Sequence, residues 1–175
     1  GANTTGTYNV AMGYAALASN TTASYNVAVG SNALTANTTG VHNTCIGLES
    51  GKTNTVGRQN TAIGNYSFQM NTEGEFNTAL GYSALKANTT ADNNTAVGYS
   101  ALIANTTGAD NVAIGRGAME SNTTAIRNTA VGMDALNQNT TGTENTAIGE
   151  VALAGNTTGG YNTAIGRHSL RSNSS

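Results

Sequence analysis

Two histidines (His42 and His168), one cysteine (Cys45) and nine acidic residues are the groups of this 175-residue chain best suited to catalysis or metal binding. A metal centre or a nucleophile–base pair needs such groups to converge within a few ångströms. Eight Asn-Thr-Thr triplets, starting at Asn3, Asn20, Asn37, Asn88, Asn105, Asn122, Asn139 and Asn156, match the pattern of glycosylation acceptors. Seven tyrosines, Tyr8, Tyr14, Tyr25, Tyr66, Tyr82, Tyr99 and Tyr161, carry rings suited to stacking on sugars or to protein contacts. Whether any of these groups meet depends on the elements that carry them.

Those elements repeat. Asn9, Asn26, Asn43, Asn60, Asn77, Asn94, Asn111, Asn128, Asn145 and Asn162 each open a unit, and the step is constant (26 − 9 = 17; 162 − 145 = 17). Residues 1–175 therefore read as a single repeat domain in which ten units begin. Numbering the columns from that Asn, the second is Thr or Val and the third is Ala, except for Cys45. The fourth is always apolar, from Met12 to Ile165, and the fifth is always Gly. The eighth is Ala or Ser, the ninth is mostly Leu, and the twelfth is always Asn, followed by Thr-Thr-Gly or a close variant.

This period is too short for the common helical repeats, which run to roughly 33–47 residues. Each unit instead holds two short β-like runs, such as Thr146-Ala147-Ile148 and Val151-Ala152-Leu153, separated by turn-formers. The pattern predicts an all-β parallel solenoid with one coil per unit, about 4.8 Å between coils and a rod on the order of 50 Å long. Strand side chains alternate faces, so the second and fourth columns are expected inward. The third is expected to face the other way, kept small by close approach of a strand of the same coil or of another subunit. The fifth-column Gly suits a corner. Stacked Asn side chains are expected to bond along the rod axis.

Composition sets further bounds. The chain has no Pro or Trp, 9% charged residues and a net charge of −2. It lacks the basic footprint of a nucleic-acid binder, with seven Lys plus Arg, and no apolar run reaches a membrane span. Large apolar residues are few. One coil buries too little to offset the entropy of ordering its residues, so coils must stabilise one another, and subunit association is expected.

On such a rod the reactive groups stay apart. His42 and His168 lie seven units apart in different columns, roughly 34 Å at the strand spacing. The acids are scattered through variable columns, and the Gly pattern lacks the Gly-Lys-Ser/Thr of a phosphate loop. No enzyme, metal or cofactor is expected. Cys45 has no intrachain partner; it reads as a small buried filler, or, if its column lines a threefold axis, as one of three adjacent thiols. The Asn-Thr-Thr triplets read more simply as corners than as sugar sites. Tyr82 and Tyr99 are neighbours in column six, and Tyr8 and Tyr25 in column seventeen. Units three and four depart most from consensus, at Gly51, Val56, Arg58, Phe68, Met70, Glu73, Glu75 and Phe76. The candidate contact residues are thus Tyr82, Tyr99, Tyr8, Tyr25, Arg58, Phe68 and Phe76.

The words Asn111-Val112-Ala113-Ile114-Gly115, Asn9-Val10-Ala11-Met12-Gly13 and Asn26-Val27-Ala28-Val29-Gly30 resemble the signature of YadA-like head domains of trimeric autotransporter adhesins. The same wording is similar to shafts of phage tail-fibre-like proteins. The resemblance covers the whole chain and implies a left-handed parallel β-roll, a homotrimer, and attachment to a host-surface glycan or protein. Repeats in those heads are usually shorter, near fourteen residues, so the extra residues here enlarge a turn around Asn-Thr-Thr-Gly. The shared motif is structural and transfers no functional residue. The expected function is a structural or adhesive rod of a surface adhesin, tail fibre or extracellular filament. Its expected location is extracellular, at a cell surface or on a virion tail, with any signal or anchor outside this sequence. Its expected partner is itself, as a homotrimer or an end-to-end filament. The alternative is an ice-binding solenoid using Thr ladders, which the expected inward column two disfavours.

Overall fold

A Thr-Ala-Ile triplet between Asn and Gly is too short to hold an extended conformation alone. It becomes a strand by pairing with the same triplet one repeat away. In the computed structural model, which describes residues 3–173, there are ten such strands: β1 (Val10–Met12), β2 (Val27–Val29), β3 (Thr44–Ile46), β4 (Thr61–Ile63), β5 (Thr78–Leu80), β6 (Thr95–Val97), β7 (Val112–Ile114), β8 (Thr129–Val131), β9 (Thr146–Ile148) and β10 (Thr163–Ile165). They form one parallel sheet in sequence order. Pairing is in register column by column, as in Thr95↔Val112, Ala96↔Ala113 and Val97↔Ile114. The chain is a β-solenoid, as the period predicts.

Each coil has one strand rather than the two expected. The second run is a chain of overlapping turns. In the ninth coil, Ala152 N donates to Gly149 O (3.2 Å) and Asn156 N to Leu153 O (3.2 Å), while Leu153 N reaches Ser169 O of the next coil (2.9 Å). Columns seven and nine adopt left-handed backbone in every coil, for example Val151 at φ 58° and Leu153 at φ 51°. An extended run would send Ala152 and Leu153 to opposite faces. With left-handed residues interleaved, both are fully buried. Left-handed backbone costs an L-residue on the order of 1–2 kcal/mol, and burial of the column-nine side chain offsets it.

That burial also reverses the expected facing of the strand. Column three, not columns two and four, points into the coil: Ala28, Cys45, Ala62, Ala96, Ala113 and Ala130 are all fully buried. The fourth column is half-buried or exposed, with Ile114 and Ile148 each 39% exposed and Ile165 68%. The physical reason is interior volume. Leu34, Leu85, Leu102, Leu136 and Leu153 of column nine fill the coil opposite the strand, leaving space for a methyl group and little more.

One coil tests this account directly. Where Cys45 replaces Ala in column three, Gly51 replaces Leu in column nine; a Cβ on Gly51 would stand 2.6 Å from Cys45 Sγ and 3.2 Å from Leu34 Cδ2. The next coil carries Phe68, 1% exposed, in the same column as Gly51. Gly51 is thus a core substitution that leaves room for Cys45 Sγ within the same coil. The burial of Phe68 corrects the reading of it as a surface contact.

The polar part of the interior is mostly amide. Column-one and column-twelve asparagines form two buried stacks, and every one from Asn20 to Asn156 is at most 1% exposed. Asn105 Nδ2 donates one hydrogen to Asn88 Oδ1 of the preceding coil (3.2 Å) and one to Gly108 O of its own coil (2.9 Å). Asn94 Nδ2, from the other stack, donates to the same Gly108 carbonyl at 2.9 Å. Asn94 Oδ1 accepts Asn111 N at 3.0 Å, which carries the bonding to the next coil. Thr106 Oγ1 adds a bond to Thr123 O at 3.0 Å. Among the described residues, no buried side-chain nitrogen or oxygen lacks a partner, which is what makes a polar interior tolerable.

Candidate functional site

The outward side of the strands is the largest regular surface. Because column three turns inward, columns two and four project together from ten consecutive strands. Column two supplies Thr44, Thr61, Thr78, Thr95, Thr129, Thr146 and Thr163, with Val10, Val27 and Val112; column four is apolar in every coil. No charged residue lies within any of the strands. The result is an uncharged ladder, apolar along one edge, with successive rungs at the strand spacing. A signal for this face was present in the sequence. Column four tolerates Met, Val, Ile and Leu, as an open surface does, whereas column three accepts only Ala and Cys, as a confined interior requires.

The tyrosine pairs fall where the columns place them. Tyr8 and Tyr25 stack with ring centroids 5.0 Å apart and planes 12° from parallel, and His42 continues the stack at 4.8 Å and 3°. Tyr82 and Tyr99 stack at 5.4 Å and 8°, with Tyr66 edge-on to Tyr82 at 5.6 Å. Lys86 Nζ lies 5.7 Å from the Tyr66 ring centroid. These rings cover one another's faces, so only their edges and the ends of each stack remain open. That geometry argues against the sugar-stacking role considered from sequence. Phe76 is 50% exposed in column seventeen. Arg58 pairs with Glu75 of the adjacent coil, Nε–Oε1 2.9 Å.

Three further ion pairs also join adjacent coils. Arg127 meets Glu144 at 3.3 Å and Arg167 meets Glu150 at 3.0 Å, each pair in a shared column, and Arg116 meets Asp134 at 2.9 Å. The hydrogen bond from Lys52 holds the Glu49 carboxyl below its ordinary value. An open groove of about 620 Å³ runs past Glu120, Asp134, Asn137 and Arg171. Its two acids are engaged, Asp134 by Arg116 and Glu120 by Asn137 Nδ2 at 3.1 Å. Among the described residues, no three His, Cys, Asp or Glu side chains group as metal ligands. No helix of the described residues is long and apolar enough to cross a membrane.

The sequon asparagines from Asn20 onward are buried, with their amides committed to the stacks; Asn3, in the partial first coil, is exposed. Cys45 lies inside its own coil and cannot line an axis between subunits, which corrects that expectation. Burial pushes its thiol up to about 12, opposed in small part by a hydrogen bond with Ser50. Since only the thiolate reacts, alkylation of folded protein at pH 8 is expected to run on the order of a thousandfold slower than in denaturant. Labelling at the rate of a free thiol would contradict the interior assignment. The raised value has a stability consequence. The neutral thiol is favoured in the folded state, so its contribution is intact below the ordinary value of 9.0 and declines as pH rises from there toward 12.

Compared with protein-family models, with curated proteins and with solved structures, the chain has no match in any of the three.

Proposed function

We propose that the protein is a structural and adhesive rod that assembles with copies of itself through the outward strand face. The observation that carries this reading is the unbroken apolar fourth column, half-buried or exposed from Met12 to Ile165 beside an uncharged second column. Large exposed apolar surfaces of this kind mark contact sites. A partner that keeps contact along the whole face must itself repeat at the coil spacing, and a second copy of the chain does so by construction. The resemblance to YadA-like heads supports three chains, an extracellular or virion-tail setting, and a host-surface glycan or protein as the thing attached. The variable columns then carry whatever specificity attachment requires, and the role is mechanical rather than catalytic.

Light scattering coupled to size exclusion tests this. The unmodified chain is expected at three times the chain mass. The double variant Ile114→Asp, Ile148→Asp is expected as a monomer with unchanged circular dichroism. Each substitution places a carboxylate in the contact, and together they weaken association by at least about a thousandfold. A monomeric mass for the unmodified chain overturns the reading.

One observation favours the second reading, ice binding. Column two faces outward, against expectation, so its threonines form a regular array, with columns two and four about 6.7 Å apart along each strand. Column thirteen contributes less, because hydroxyls such as that of Thr106 donate to the next coil's carbonyl. Both readings claim the same face. Thermal hysteresis from a monomeric protein would support ice binding; its absence at millimolar concentration ends that reading.

A further inference from the structure

We propose that Tyr8–Tyr25 and Tyr82–Tyr99 are oxidative cross-linking sites, at which dityrosine bonds staple adjacent coils. Both pairs lie outside the three-residue strands, so the inference does not depend on what covers the strand face. In each pair the residues are one repeat apart (25 − 8 = 17; 99 − 82 = 17). Parallel in-register pairing of the flanking strands brings the rings face to face, 5.0 Å and 5.4 Å between centroids. All four rings reach solvent: Tyr8 is 74% exposed, Tyr25 49%, Tyr82 46% and Tyr99 57%. An oxidant can therefore reach each ring, and a radical formed on one finds its partner already beside it.

The chemistry needs a one-electron oxidant, and hydrogen peroxide with a haem peroxidase is the class that fits. Each phenol loses one electron and its hydroxyl proton to give a phenoxyl radical. The two radicals join through ring carbons ortho to oxygen. Each joined carbon then releases its hydrogen as a proton while each oxygen takes one up, restoring two phenols. The pair has lost two hydrogen atoms, and peroxide has accepted the two electrons and two protons to become two waters.

Exposure alone would select different residues. Tyr14 and Tyr161 are the most exposed tyrosines, at 81% and 78%, but the chain places Ser31 and Glu144 in the matching columns beside them. Stacking confers an effective concentration that no collision between dilute chains can match. Pairing, rather than accessibility, is therefore expected to choose the products.

The test treats the full chain, at low micromolar concentration, with a haem peroxidase and hydrogen peroxide, and reads dityrosine fluorescence and mapped peptides. The expected products are Tyr8–Tyr25 and Tyr82–Tyr99 links, each lighter by two hydrogens, with a raised unfolding midpoint. The variant Tyr8→Phe, Tyr82→Phe keeps the stacked rings, and so the fold, yet removes one phenol from each pair; Tyr82→Phe also removes the phenol beside Tyr66. Its dityrosine yield is expected to fall at least about tenfold. Absence of dityrosine, links mapping only to Tyr14 or Tyr161, or an undiminished yield in the double variant would each overturn the proposal.

Discussion

Gly98→Ala is expected to destabilise the rod by roughly 3–5 kcal/mol, read as a lowered urea midpoint at fixed chain concentration. Gly98 turns the corner after β6 at φ +134°, and a Cβ there would stand 2.5 Å from the carbonyl oxygen and 2.7 Å from the carbonyl carbon of Gly115. Both obstacles are backbone of the next coil, so relief requires opening the ladder. Gly108→Ala is the informative control. Its added Cβ also meets a carbonyl oxygen, that of Ala125. Yet Gly108 is not among the positive-φ glycines, and the chain places Ala23, Ala91 and Ala125 in the same column. The close approach there is met by small shifts, and the expected cost is within about 1 kcal/mol. Equal costs for the two substitutions would mean that backbone conformation is not what reserves column five for Gly.

Asn105→Ala is expected to cost about 2–4 kcal/mol, more than a typical single hydrogen bond contributes. Three bonds go: Asn105 to Asn88, Asn105 to Gly108, and Asn122 Nδ2 to Asn105 Oδ1 at 2.7 Å. The Gly108 carbonyl keeps its bond from Asn94, and Asn122 keeps one to Ala125 O at 3.3 Å. Asn88 Oδ1 is left buried with its donor removed, and that desolvation dominates the cost. Asn105→Asp preserves size but sets a carboxylate against two acceptors, so it is expected to cost more than Ala. If Asp were tolerated at neutral pH as well as Asn, the amide stack would not be stabilising the interior. Chemical denaturation of the three proteins at one concentration decides.

Much of the architecture was legible because a solenoid writes its structure as a period. The uninterrupted spacing from Asn9 to Asn162 predicts parallel coils in register, and the invariant Asn columns predict axial amide ladders; both are observed. The tyrosine pairs were legible for the same reason, since residues in one column of adjacent units must become neighbours. Less legible was the second run, Val151-Ala152-Leu153. Its composition reads as strand, but left-handed backbone at Val151 and Leu153 turns consecutive side chains inward. Local propensity does not report that tertiary burial outweighs it. Phe68 was misread for a related reason: it departs from the Leu of its column, and only the packed coil shows that the larger ring is still taken inside.

Period, register and ladder bonding are determined by the sequence itself, because identical columns can stack on one another at a single shift. Which side of the strand faces inward is only signalled, by the narrow choice in column three against the wide one in column four, and is not determined. Alternation separates Thr95 and Val97 from Ala96 but is satisfied equally by either orientation. The tertiary structure decides it through volume. Leu102, arriving from a segment that is not a strand, fills the coil and leaves room opposite for Ala96 and not for Val97. The apolar column is thereby turned outward, and the surface on which the proposed function rests follows from that exclusion.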